Sequence, residues 1–76
     1  MDGERKELIR HRLQLAVKYC GISQMELAAM IGTSQSQVSS WALGKSMPGL
    51  VVASRLCETL KINPAWLLGM SERREL

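Results

Sequence analysis

Residues 35–44 form the stretch best suited to specific hydrogen bonding, because they combine short polar side chains with a helical pattern. Val38 and Trp41 have the spacing of the buried side of a helix, which turns the hydroxyls of Ser36 and Ser40 outward. The stretch has no charged residue, whereas exposed helix faces usually carry Lys and Glu pairs. Ser and Gln can pair with base edges in a major groove. An ordinary Ser-rich surface helix has the same composition.

Two helix start signals position this stretch. Ser23 and Glu26 form an S-x-x-E capping box, and Ser34 and Gln37 repeat it as S-x-x-Q. Gly32 ends the first helical pattern where a left-handed residue is needed. The sequence therefore predicts two short helices joined by a tight turn. This is helix-turn-helix spacing, although an αα-hairpin in any small helical bundle shows the same apolar pattern.

Three further helices complete the predicted fold. Helix 1 is predicted over residues 3–20, helix 4 over residues 50–61, and helix 5 from Pro64 to Gly69 with Asn63 as its cap. The predicted fold class is all-α, with five helices in one compact domain of residues 1–70. Residues 71–76 form a charged tail that is expected to fray. The predicted core of these helices contains Ile9, Leu13, Ala16, Val17, Cys20, Leu56, Cys57, Leu60, Trp66 and Leu67.

Composition excludes several functional classes. With 76 residues and a single His, the chain has no Ser/His/Asp set, no Gly-rich phosphate loop and no room for a substrate pocket, so an enzyme is not expected. Cys20 and Cys57 belong to no Cys/His cluster, which predicts reduced thiols and no metal. No cofactor or small-molecule ligand is indicated. Without a membrane span or a signal peptide, the expected location is cytoplasmic. A net charge of +3 is compatible with nucleic acid but decides little.

The combined pattern resembles the helix-turn-helix of the lambda repressor/Cro (XRE) family of phage and bacterial regulators. The resemblance extends over nearly the whole chain, and the combination is highly specific although each piece alone is weak. The matching residues are Gln24, Glu26, Leu27, Ala28, Ile31, Gly32, Thr33, Ser34, Gln35, Val38, Trp41, Gly44, Lys45 and Pro48, followed by residues 62–68.

This resemblance implies sequence-specific binding of double-stranded DNA, with helix 3 in the major groove. It assigns base reading to Gln35, Ser36 and Ser40, with Gln37 or Ser39 as a possible addition. The residues expected at phosphates are Ser23, Gln24, Ser34, Leu43 and Lys45, of which Lys45 would use its amine or its backbone N–H.

Two positions depart together from the family pattern. Many members have an Arg at the place of Val17, paired with a Glu at the place of Ala42. Exchanging both partners for apolar residues can be neutral or stabilising, so the sequence predicts a packing contact between these two side chains.

A two-fold dimer on an approximately palindromic operator is expected, with Leu68 and Met70 at its interface and pairing completed, if necessary, on DNA. Leu8, Leu15 and Tyr19 on helix 1 form a competing surface. The pattern fits a short Cro-like regulator, the head of a longer repressor or an antitoxin-type autorepressor. A helical protein-interaction module that never binds DNA is the alternative from another class. Neither the operator sequence nor repression versus activation follows from the sequence.

Overall fold

Five α-helices joined by short turns make up the protein in a computed structural model that describes residues 2–76. This confirms the predicted all-α fold. Met1, which the predicted domain includes, lies outside the described residues. Within residues 2–76, no helix has the length and apolar character that crossing a membrane requires. The helices are α1 (Asp2–Lys18), α2 (Gln24–Ile31), α3 (Gln35–Ala42), α4 (Leu50–Leu60) and α5 (Pro64–Leu67).

Three predicted helix ends lie one or two residues too far along the chain. After α4, Lys61 turns into the left-handed region with φ 59° and its N–H donates to the carbonyl of Cys57, which closes the helix. Gly21 takes the left-handed conformation after α1 with φ 77°. Apolar periodicity continues through such closing turns, so it overestimates helix length. The observed last residues are Lys18, Leu60 and Leu67 rather than Cys20, Lys61 and Gly69.

One apolar core receives side chains from all five helices. Trp41 is the largest side chain that is fully buried, and Leu13 and Leu56 are buried with it. Val17 and Ala42 are both buried, as their predicted packing contact requires. Ile9, Cys20 and Leu60, all predicted to be buried, are only half-buried. The core consists of Leu13, Ala16, Val17, Leu27, Ala28, Ile31, Val38, Trp41, Ala42, Leu56, Cys57, Ile62, Trp66 and Leu67.

Arg12 is buried on the core side of α1, where the sequence pattern predicted only apolar residues. It is 8% exposed, and its guanidinium donates to the carbonyl oxygens of Trp66 and Ser71 at 2.5 and 2.9 Å. It also donates to a carboxylate oxygen of Glu72 at 2.6 Å and lies 5.0 Å from the centre of the Trp66 ring. A buried charge is tolerated when its donors are paired in this way.

The C-terminal tail, residues 71–76, contacts the body of the domain, while its expected fraying stays a prediction. Asn63 N–H donates to the carbonyl of Arg74 at 2.7 Å, and Ile62 forms an isolated antiparallel bridge with Glu75. The Arg74 guanidinium lies 5.4 Å from the centre of the Trp66 ring. These contacts, together with those of Arg12, hold the tail. Apolar spacing in the sequence cannot predict them.

Both cysteines are free thiols. Cys57 is buried in the core, and this burial raises the pKa of its thiol because desolvation disfavours the charged thiolate. Cys20 is half-buried, and its thiol contacts the carbonyl oxygens of Val17 and Ile22 at 3.3 and 3.4 Å. Cys57 therefore acts as a small apolar side chain, and Cys20 acts as a weak donor to backbone carbonyls.

Candidate nucleic-acid interface

The turn between α2 and α3 depends on glycine. Gly32 has φ 74°, and Thr33 N–H donates to the carbonyl of Ala28 at 2.9 Å, which closes α2. A Cβ at residue 32 would lie 2.9 Å from Nη1 of Arg55, so any larger residue there meets both backbone strain and a neighbouring side chain. The turn therefore fixes how α3 leaves α2.

Serine side chains cap both helices of this unit, which is the serine half of the two predicted capping boxes. The return bonds from the side chains of Glu26 and Gln37 to the cap N–H groups are not formed among residues 2–76. The Ser23 hydroxyl accepts from Glu26 N–H at 3.1 Å, and the Ser34 hydroxyl accepts from Gln37 N–H at 3.2 Å. Both hydroxyls still have an O–H to donate. The first turns of α2 and α3 also carry N–H groups without intrahelical partners and the positive end of the helix dipole. Both N-termini are therefore suited to an anion or to acceptor groups.

The inward side of α3 is the predicted one, since Val38 and Trp41 are both buried. In the first turn, Ser36 lies opposite this buried pair with Gln35 and Gln37 on its flanks, and all three are exposed. No acidic residue is in that turn. The start of α3 thus presents uncharged donors and acceptors to solvent, with no carboxylate to repel a phosphate.

The second half of the candidate reading face is less open than predicted. Ser39 and Ser40 are half-buried, and the Ser46 hydroxyl donates to the Ser40 hydroxyl at 2.9 Å. Ser40 was predicted to point directly outward, but the loop after α3 folds back and partly covers it. Helical spacing gives the direction of a side chain and cannot show what a following loop places over it.

Four of the five predicted phosphate residues keep a donor that can reach outward. Ser23, Ser34 and Lys45 are exposed and Gln24 is half-buried. Lys45 N–H already donates to the carbonyl of Ser40 at 2.9 Å, so its side-chain amine is the donor that remains. The phosphate contact of Lys45 stays a prediction, and the side-chain amine is the donor available for it.

Leu43 does not have a donor for a phosphate. Its N–H donates to the carbonyl of Ser39 at 3.0 Å, and its exposed side chain is apolar. The resemblance placed Leu43 among the residues expected at phosphates, and that assignment stays a prediction. Closure of that helix uses the amide on which such a contact depends.

Sequence reasoning missed two residues beside this unit. Arg55 on α4 places its guanidinium next to Gly32, which adds a positive charge close to the start of α3. Gln14 on α1 donates from its amide nitrogen to the carbonyl of Ala42, the last residue of α3, at 3.2 Å. Both contacts join elements distant in sequence, so no local signal could have found them.

Metal-binding geometry is not found in the part of the chain that the structure describes: residues 2–76 hold no group of three or more His, Cys, Asp and Glu side chains placed to bind a metal ion. The polar groups near α3 are hydroxyls, amides and cations. Their chemistry is hydrogen bonding and charge neutralisation.

A family model described as helix-turn-helix matches residues 13–67, which include α2, α3, α4 and α5 and the last part of α1. The match covers most of the chain and is centred on the unit described above. Neither a curated protein nor a solved structure matches the sequence.

Proposed function

The chain belongs to the helix-turn-helix family of the lambda repressor/Cro (XRE) type and is a DNA-binding transcription regulator, and on this premise we propose that it reads an approximately palindromic operator as a two-fold dimer. In this proposal α3 enters the major groove and the protein acts as a phage- or prophage-type repressor or Cro-like regulator. The observation that carries the proposal is the exposed, uncharged first turn of α3.

Base reading is assigned to the polar side chains of α3. Gln35 leads this set because it is exposed at the first position of the helix, where a side chain amide can bridge the N6 and N7 atoms of adenine. Ser36 and Gln37 are exposed beside it. Ser39 and Ser40 contribute from the half-buried part of the face, where their short hydroxyls require close approach of the helix.

Phosphate contacts supply affinity and register rather than sequence discrimination. Gln24 and the Ser23 hydroxyl lie at the start of α2, and the Ser34 hydroxyl precedes α3. Lys45 follows α3 with its amine free. Donors at both ends of α3 would hold the helix along the groove between two backbone segments.

The proposed dimer surface lies on α4 and the end of α5. An apolar groove of about 360 Å³ is lined there by Leu50 and Leu68, which are 84% and 41% exposed, and by Leu76 of the tail. A second groove of about 200 Å³ shares Leu50 and Leu68. A two-fold interface uses one self-complementary patch, and protruding leucines beside a groove meet that requirement. We assign Met70, which is 70% exposed, to the same interface, although it lines neither groove.

Replacing Gln35 by alanine should cost about 1–3 kcal/mol on the preferred operator, the value of one bidentate base contact. The preference at one base position in each half-site should relax, because the lost amide no longer favours one base there. Binding titrations on the operator and on each single-base variant measure both effects.

Met30→Ala is the matched control for this test, since Met30 is exposed on α2 outside the proposed contact set. It should leave the base preferences unchanged. If Gln35→Ala kept the wild-type preference at every position, Gln35 would not be a reading residue.

A further inference from the structure

Gln14 makes the polar link between α1 and α3. Its Nε2 donates to the carbonyl oxygen of Ala42 at 3.2 Å in a partly buried position. Val17 on α1 and Ala42 on α3 are apolar and buried. The two salt bridges found within residues 2–76 join residues 7 and 10 and residues 12 and 72, so neither involves α3.

The carbonyl oxygen of Ala42, which accepts from Gln14, has no hydrogen-bond donor from the backbone at the end of α3. At the end of α3, Gly44 N–H donates to the carbonyl of Trp41 at 3.0 Å and Lys45 N–H donates to that of Ser40 at 2.9 Å. This is the Schellman pattern, which leaves the carbonyl of Ala42 for a partner outside the helix. A side chain from α1 supplies that partner.

The side-chain amide of Gln14 also lies against Gly44, the residue before Lys45. Gly44 has φ 74°, and a Cβ built on it would be 3.2 Å from Cδ and Nε2 of Gln14 and 3.3 Å from its Oε1. Gln14 therefore packs directly over the glycine that turns the chain out of α3. Lys45 is the next residue, so its Cα is placed by a turn that Gln14 contacts on one side.

We infer that Gln14 is a positioning residue for DNA binding: by holding the last carbonyl of α3 and covering Gly44, it sets the place from which Lys45 reaches a phosphate. Gln14 itself touches no DNA in this inference. The inference rests on the proposed function, because it explains the position of Lys45, one of the proposed phosphate contacts. It also gives a role to the polar residue on the side of α1 that faces α3.

A double-mutant cycle on the full chain tests this inference. Gln14→Met keeps the length of the side chain and removes the donor. Lys45→Ala alone should weaken binding to specific and non-specific duplexes alike and make the dependence of log K on log salt shallower by about one unit at most. In the Gln14→Met background, the loss of DNA affinity from Lys45→Ala should be at least about threefold smaller. The effects of two residues that act together do not add in free energy.

Gln24 provides the control pair, because it lies at the other end of the helix-turn-helix unit and has no contact with Gln14 in this account. In the double variant, the fold-losses of DNA affinity from Gln14→Met and Gln24→Ala should multiply to within about twofold. Circular dichroism at the assay temperature restricts the comparison to folded proteins. If Gln14→Met does not fold, Gln14→Asn replaces it, since its amide is one methylene too short to reach Ala42.

The outcomes separate this inference from the proposed function. A wild-type protein that binds all duplexes equally contradicts the proposed function. A wild-type protein that selects an operator, with independent losses for Gln14→Met and Lys45→Ala, overturns only the role of Gln14. A purely structural role would lower the melting temperature without changing the effect of Lys45→Ala.

Discussion

Replacing Arg12 by alanine should lower the free energy of unfolding by about 3 kcal/mol, from hydrogen bonds of a charged group and a desolvated cation–π contact. The guanidinium contacts two backbone carbonyls and Glu72, and it lies over the ring of Trp66. Removing it leaves the buried carbonyl of Trp66 without this donor. A domain of this size has roughly 4–11 kcal/mol in total, so the loss is a large fraction.

Arg10→Ala is the control for the Arg12 prediction. Arg10 lies on the same helix and pairs with Glu7, whose side chain is mostly exposed, and exposed pairs contribute at most about 1 kcal/mol. Urea unfolding followed by circular dichroism measures both variants. Equal losses for the two would show that Arg12 contributes no more than a surface pair, which would contradict the clamp on the tail.

Leu68→Glu should reduce affinity for the full operator by about a hundredfold or more, because it removes the avidity gained by linking two heads. A carboxylate placed in an apolar two-fold contact meets its own copy, so both desolvation and repulsion oppose pairing. Affinity for an isolated half-site should stay near the wild-type value. Titrations on the full and half operators distinguish these effects.

Tyr19→Glu is the matched control for the interface. Tyr19 is an exposed apolar residue on α1 and belongs to the competing surface with Leu8 and Leu15. Its replacement should leave cooperative binding intact. If Tyr19→Glu abolished cooperativity while Leu68→Glu did not, the pairing surface would lie on α1.

Local signals explain why the helix-turn-helix unit could be predicted from the sequence. The two serine caps, Gly32 and the inward pair Val38 and Trp41 each act within a few residues of their own position. The structure confirms the caps at 3.1 and 3.2 Å, the left-handed glycine and the burial of that pair. Such signals can be read from the sequence because the residues that cause them are close together in it.

Long-range contacts explain what the sequence could not show. The acceptors of Arg12 are 54 to 60 residues away, and a pattern of apolar spacing treats a charged residue as exposed. The partial covering of Ser40 by Ser46 and the contact of Gln14 with Ala42 likewise depend on how loops and helices meet.

Selection of bound sites from a random pool of duplex DNA tests the central claim most directly. We expect enrichment of one motif made of two inverted half-sites, whose centres are about 34 Å apart so that two α3 helices enter successive major grooves on one face. A pool that remains random after repeated rounds, with binding that depends on salt but not on sequence, would contradict sequence-specific recognition by this protein.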